Sequence, residues 1–132
     1  MTVPFWCLAI VCFLPYVWSF YSIPQRQRQL GTVDNKNPRA QQAQLTGPGA
    51  WAMGAHTHAF EAVILFTPAV LVAHLAGADP VWSARWAEIF VVARILHGVF
   101  YVTGLDLLRS LTFGVGLAAV VALFVLAARA VA

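Results

Sequence analysis

Charge is scarce in this chain. Of 132 residues only 10% are Asp, Glu, Lys or Arg, against 61% hydrophobic. So little polar surface cannot enclose a soluble domain of this size, which excludes an ordinary water-soluble fold. Acid is scarcer than base, five carboxylates against eight Lys and Arg, for a formal charge of +3. Four of the eight, Arg26, Arg28, Lys36 and Arg39, fall in one short segment rather than along a face, which does not favour nucleic acid as a partner. There are two cysteines, Cys7 and Cys12. Five residues apart, they lie roughly 140° apart on a helix, and with no CxxC or HExxH spacing anywhere the chain offers no redox or zinc motif. No basic segment precedes the first apolar run and no small-x-small cleavage site follows it, so this run is expected to stay as a membrane span. No internal repeat is visible, which argues against a small transporter built from inverted halves.

Long apolar runs are what the chain has in quantity. The first, about Val3 to Ile23, spans roughly 31 Å at ~1.5 Å per residue, enough to cross the hydrocarbon core, with Pro15 as a point for a kink. Residues 24–48 are polar and broken by Pro24, Gly31, Pro38, Gly47 and Pro48. They read as a loop, and its basic residues put it on the cytoplasmic side. Further spans are expected over about Ala50 to Leu75, with Pro68 inside it; about Val81 to Thr103, after a tight AGADP turn; and about Arg109 to Val131, after GLDLL. The expected fold class is therefore all-α, an integral membrane four-helix bundle forming one domain over residues 1–132. Both termini then lie opposite the loop, in the periplasm of a bacterial inner membrane if the source is prokaryotic. Trp6, Trp18, Trp51, Trp82 and Trp86 fall mostly near span ends, as an aromatic belt requires.

The first and fourth runs are almost uniformly apolar, but the second carries His56, His58 and Glu61, and the third Glu88, Arg94, His97 and Tyr101. Thr57, His58 and Glu61 share one helical face, and Arg94, His97 and Tyr101, at i, i+3 and i+7, share another. In an antiparallel hairpin the start of helix two lies level with the end of helix three, so Glu61 is expected to meet Arg94 as an ion pair between helices. Arg94, Arg109, Arg26 and Arg28 crowd the cytoplasmic half, with only Glu61 and Asp106 to answer them. That surplus, with Tyr and His donors, suits an anionic ligand carrying carboxylates. His58, Glu61 and His97 could in principle ligate a metal, but the surrounding arginines would repel a cation. Glu88 is positioned to pair with Arg85 three residues earlier, and His74 is expected at the interface.

In the segments NPRAQ, AHTHAFEA and VVARILHGVFYVTGLDLLRSLTFGVG the chain resembles the MAPEG family, the membrane-associated proteins in eicosanoid and glutathione metabolism, most of all its small bacterial members. The resemblance implies a homotrimer of four-helix subunits that binds glutathione in clefts between neighbours, toward the cytoplasmic side. It implies that Glu61, Arg94, Tyr101 and Arg109 help to hold glutathione, that His97 lies by the pocket, and that Arg26 or Arg28 contributes from the end of helix one. His58 stands where glutathione-using members have Asn, and Phe113 where several have Tyr. The interval from Tyr101 to Arg109 is one residue shorter than in the eicosanoid enzymes.

Two functions follow as expectations. One is a glutathione-dependent transferase or peroxidase acting on apolar electrophiles or lipid hydroperoxides, with Arg109 as the catalytic residue that stabilises a thiolate. The other is a non-catalytic scaffold, or a subunit of a larger membrane complex, using the same fold; His58 and Phe113 favour it. Membrane lipid is a partner in either case.

Overall fold

The computed structural model describes residues 1–131. Five helices follow in order: α1 (Val3–Leu30), α2 (Pro38–Gln42), α3 (Pro48–Leu75), α4 (Pro80–Val102) and α5 (Asp106–Ala130). The four long ones pack as an antiparallel bundle, and α2 is a single turn within the connection from α1 to α3.

The helix boundaries follow local chemistry. Pro48 and Pro80 occupy first-turn positions of α3 and α4, where a missing N–H loses no helical bond. Asp79 caps α4, its carboxylate accepting from the Trp82 N–H at 2.8 Å. Gly104, at φ 74°, turns the chain sharply after α4, so α5 begins at Asp106 rather than at Arg109.

The first helix departs most from expectation. It continues through Pro24 to Leu30, beyond the Ile23 end read from composition. Twenty-eight residues make about 42 Å of helix, so the polar turns beyond Ile23 project past a hydrocarbon core of about 30 Å. They are held by the following segment. The Gln29 amide donates to the Thr46 carbonyl (3.1 Å) and accepts from the Thr46 N–H (3.0 Å). Buried Arg26 donates through Nε to Gln41 Oε1 (2.6 Å) and through a terminal nitrogen to the Asp34 carbonyl (2.6 Å). Gln41 also accepts from the Asp34 N–H and donates to the Thr32 carbonyl. The loop expected over 24–48 is thus confined to 31–47 and organised around Gln41. Asp34 closes it locally: its carboxylate accepts from the N–H groups of Lys36 (2.7 Å) and Asn37 (3.1 Å). These bonds, Asn37 before Lys36, hold its carboxyl below the usual carboxylate range.

Alanine makes close packing possible. Ala52, Ala55, Ala59, Ala62, Ala69 and Ala73 form a buried stripe on α3, the small-residue surface that lets membrane helices approach. In the half away from the loop, Phe66 and Phe90 stack face to face at 4.1 Å, both fully buried. Large apolar side chains such as Trp6, Phe13, Phe20, Ile64 and Leu111 point outward. A protomer with this surface is surrounded by lipid or by other subunits.

Helices α1, α3 and α5 are long and apolar enough to cross a membrane. Helix α4, with 23 residues, matches them in length but carries Arg85, Glu88 and Arg94, and its polar stripe turns inward at Arg94 and His97. Trp18 departs from the aromatic belt. It is buried against Gly98, where an added Cβ would stand 2.0 Å from the indole, so only glycine admits it.

Candidate functional site

The loop-side half of the bundle is built differently from the Phe66 half. Here α3 supplies His58 and Glu61, α4 supplies Arg94, His97 and Tyr101, and α5 supplies Arg109 and Phe113. An open cleft of about 260 Å³ is lined by His58, His97, Tyr101, Arg109, Ser110 and Phe113. Four of the residues expected from the sequence therefore meet.

Aromatic contacts fix the cleft walls. The His58 ring lies 5.5 Å from His97, 5.6 Å from Tyr101 and 6.4 Å from Phe113. His97 is 5.7 Å from Tyr101 and 6.2 Å from Phe113. The Arg109 guanidinium sits over the Tyr101 ring, 4.7 Å from its centroid, a cation–π contact that orients it beside the phenol. His97 Nδ1 lies 3.0 Å from the Arg109 carbonyl, which can only accept, so Nδ1 carries the proton and ties α4 to the first turn of α5. His58 and Phe113, the departures from the expected pattern, are thus both packed members of this aromatic cluster.

Arg94 lies behind the cleft rather than in it. Its guanidinium is sandwiched between the rings of Phe90 (5.1 Å) and Phe113 (5.2 Å), and the residue is only 5% exposed. Gly116 makes room for it: a Cβ there would stand 3.1 Å from Arg94 Nε. The expected Glu61–Arg94 pair is not formed. Glu61 instead approaches its own helix neighbour, with His58 Nδ1 and Glu61 Oε2 2.8 Å apart, and its side chain is 57% exposed. The two atoms are close but not aligned as a hydrogen bond. The reason is rotational. Arg94 faces the bundle interior and Glu61 the outer surface of α3, so helical level alone did not bring them together. Arg94 has no carboxylate in salt-bridge reach among the described residues.

Other expected contributors sit elsewhere. Arg26 is engaged by Gln41 and the Asp34 carbonyl, and Arg28 is exposed on the projecting end of α1; neither lines the cleft of its own protomer. Arg85 lies over the Trp82 ring at 5.0 Å and is not in salt-bridge contact with Glu88. His74 is exposed, its ring edge-on to Phe5 at 4.8 Å. No group of three metal-ligating side chains is present among the described residues. Sequence reasoning missed Ser110 in the cleft lining and the glycines beneath the site. Gly54 is the clearest, since a Cβ there would stand 2.6 Å from Tyr101 Oη. The i+4 spacing of Gly54 and His58 was the available signal.

An apolar bundle with this polar end matches the MAPEG family model over residues 3–129. The chain belongs to the MAPEG family. No curated protein and no solved structure matches it significantly. MAPEG membership makes this an integral membrane protein of a family associated with glutathione-related chemistry. Arg109, Tyr101 and His58 border the open cleft, with a second guanidinium, that of Arg94, buried behind it.

Proposed function

We propose that this MAPEG protein is a membrane-bound glutathione-dependent transferase or peroxidase acting on apolar electrophiles or lipid hydroperoxides. The observation that carries the reading is the convergence of Arg109, Tyr101, His97 and His58 on one open cleft backed by Arg94. A carboxylate of the peptide meets the Arg109 guanidinium there, and the nearby carboxylate, Glu61, is available to an ammonium group. Bound there, glutathione supplies a thiol of ordinary pKa near 8.5 that reacts as its thiolate. Arg109 is the residue to stabilise that negative charge. It is partly buried, held over Tyr101, and at the lining of the cleft. Arg94 adds positive potential from below, in a medium where water screens it little.

In this reading α4 crosses the membrane with the other three long helices, the loop over 31–47 is cytoplasmic, and three copies assemble. Exposed Arg28 is then the residue that reaches the cleft of a neighbouring copy, because Arg26 is buried and held by Gln41 and the Asp34 carbonyl.

Calorimetry on the detergent-solubilised oligomer tests the site. Glutathione should bind the wild type, and Arg109→Ala should weaken binding at least tenfold. Wild-type protein that binds no glutathione would remove the enzyme reading and leave the scaffold, for which native mass spectrometry would find one copy bound to different subunits.

A further inference from the structure

A thiolate held in the cleft has lost a proton, and that proton needs a destination. Arg109 can stabilise the negative charge, but a guanidinium is already protonated and offers no acceptor. Three imidazoles lie in this half of the bundle, and two of them are engaged elsewhere. His97 is only 5% exposed, with Nδ1 tied to the Arg109 carbonyl and Nε2 buried. His56 turns toward α1, its Nδ1 lying 2.8 Å from the Pro15 carbonyl, and does not line the cleft. His58 is different. It lines the cleft with a side chain 36% exposed, yet its Nδ1 is buried, so the ring meets the cleft by the other edge, which carries Nε2.

We infer that His58 is the general base of this site: Nε2 takes the thiol proton, and Glu61 balances the imidazolium that results. The inference rests on the glutathione reading and adds to it the proton's destination. Behind the ring stands Glu61, with Oε2 2.8 Å from Nδ1. The order is thiol, imidazole, carboxylate, in which the acid orients and charges the base. Pairs of this kind are often poorly aligned until a ligand tightens them. The exposed Glu61 side chain has room to turn into line, and its second oxygen stays available to an ammonium group.

The proton balance closes within the site. The S–H bond breaks, its electron pair stays on sulfur, and the proton forms the Nε2–H bond of His58. Besides Glu61 on its own helix, the charged and titratable groups around the ring are Arg94, His97 and Tyr101 from α4 and Arg109 from α5; α1 contributes only Leu14 and Trp18. The two guanidinium groups oppose a further positive charge, whereas Glu61 and the new thiolate favour it. Transfer to His58 leaves the net charge of the cleft unchanged. Asparagine, which the MAPEG resemblance places at this position, can bond a ligand but takes up no proton.

Calorimetry of glutathione binding to the detergent-solubilised oligomer, repeated at neutral pH in buffers of different ionisation heat, counts the protons released. The ultraviolet absorbance of the thiolate counts the thiolate formed. In the wild type, thiolate should form with almost no proton released, whereas His58→Asn should release about one proton for each thiolate. A His58→Asn variant that binds glutathione without forming thiolate supports the same base. A wild type that releases about one proton per thiolate, or that binds glutathione without forming thiolate, overturns the inference and leaves the binding site standing. So does a His58→Asn variant with the wild-type proton count. A wild type that binds no glutathione overturns the glutathione reading, and this inference with it.

Discussion

Replacing Arg94 by Met should make the protein more stable and less functional at once. Arg94 is 5% exposed, so a neighbouring subunit cannot reach most of it, and it has no carboxylate partner among the described residues. Its favourable contacts are the rings of Phe90 and Phe113 at 5.1 and 5.2 Å, worth about 0.5–2 kcal/mol each. Against them stands the dehydration of a cation, several kcal/mol even after relaxation, and exchange of buried ionic groups for apolar ones of similar volume commonly stabilises by about 1–4 kcal/mol. Methionine follows the path of the arginine stem, and its sulfur regains part of the aromatic contact, about 0.3–1.5 kcal/mol per ring. The net expectation is a gain of about 1–3 kcal/mol. Thermal unfolding in detergent would show a rise of several degrees, while calorimetry would show glutathione affinity falling about tenfold or more, or roughly 1.4 kcal/mol. A variant destabilised by 2 kcal/mol or more with unchanged affinity would refute the reasoning, because Arg94 would then be a structural cation and not a functional charge retained at the expense of stability.

The other predictions are shorter. Gly98→Ala places a Cβ 2.0 Å from the Trp18 ring, so α1 must shift from α4; a loss of about 3 kcal/mol should appear in thermal unfolding, and Trp18→Leu should restore part of it. Asp34 has its carboxyl lowered in the fold, so its contribution is present above the ordinary value near 3.9 and is lost as pH falls through the lower, folded value. Protection of the Lys36 and Asn37 amides, relative to their unprotected exchange rates at the same pH, should therefore persist at neutral pH and fall only below that range, and Asp34→Asn should remove that fall. Gln41→Leu leaves buried Arg26 without its 2.6 Å acceptor and should cost about 2–4 kcal/mol, read as increased proteolysis between residues 31 and 47. Phe113→Tyr adds a phenol at the cleft wall, and a higher glutathione turnover than wild type is the expected outcome.

The overall architecture was legible in the sequence because membrane insertion is a demand on composition. A helix crossing lipid must be apolar over about 20 residues, and α1, α3 and α5 satisfy that independently of their neighbours. The cluster of His58, His97, Tyr101 and Arg109 was legible too, since helical spacing sets which residues share a face and a hairpin sets which ends are level. The rotation of each helix about its own axis was not. That is decided by which small residues lie opposite which large ones: Gly98 against Trp18, Gly116 against Arg94, Gly54 against Tyr101. It turned Arg94 inward and left Glu61 outward beside His58, where spacing alone had paired the two. The end of α1 was beyond composition for a related reason. Its polar last turns are held by Arg26 and Gln29 reaching residues eight to seventeen positions later. By itself the sequence determined that four apolar runs would form a bundle with a basic, polar end. Only the tertiary structure decided which of the charges would line the open cleft and which would be buried behind it, because close packing selects among rotations that hydrophobicity leaves equivalent.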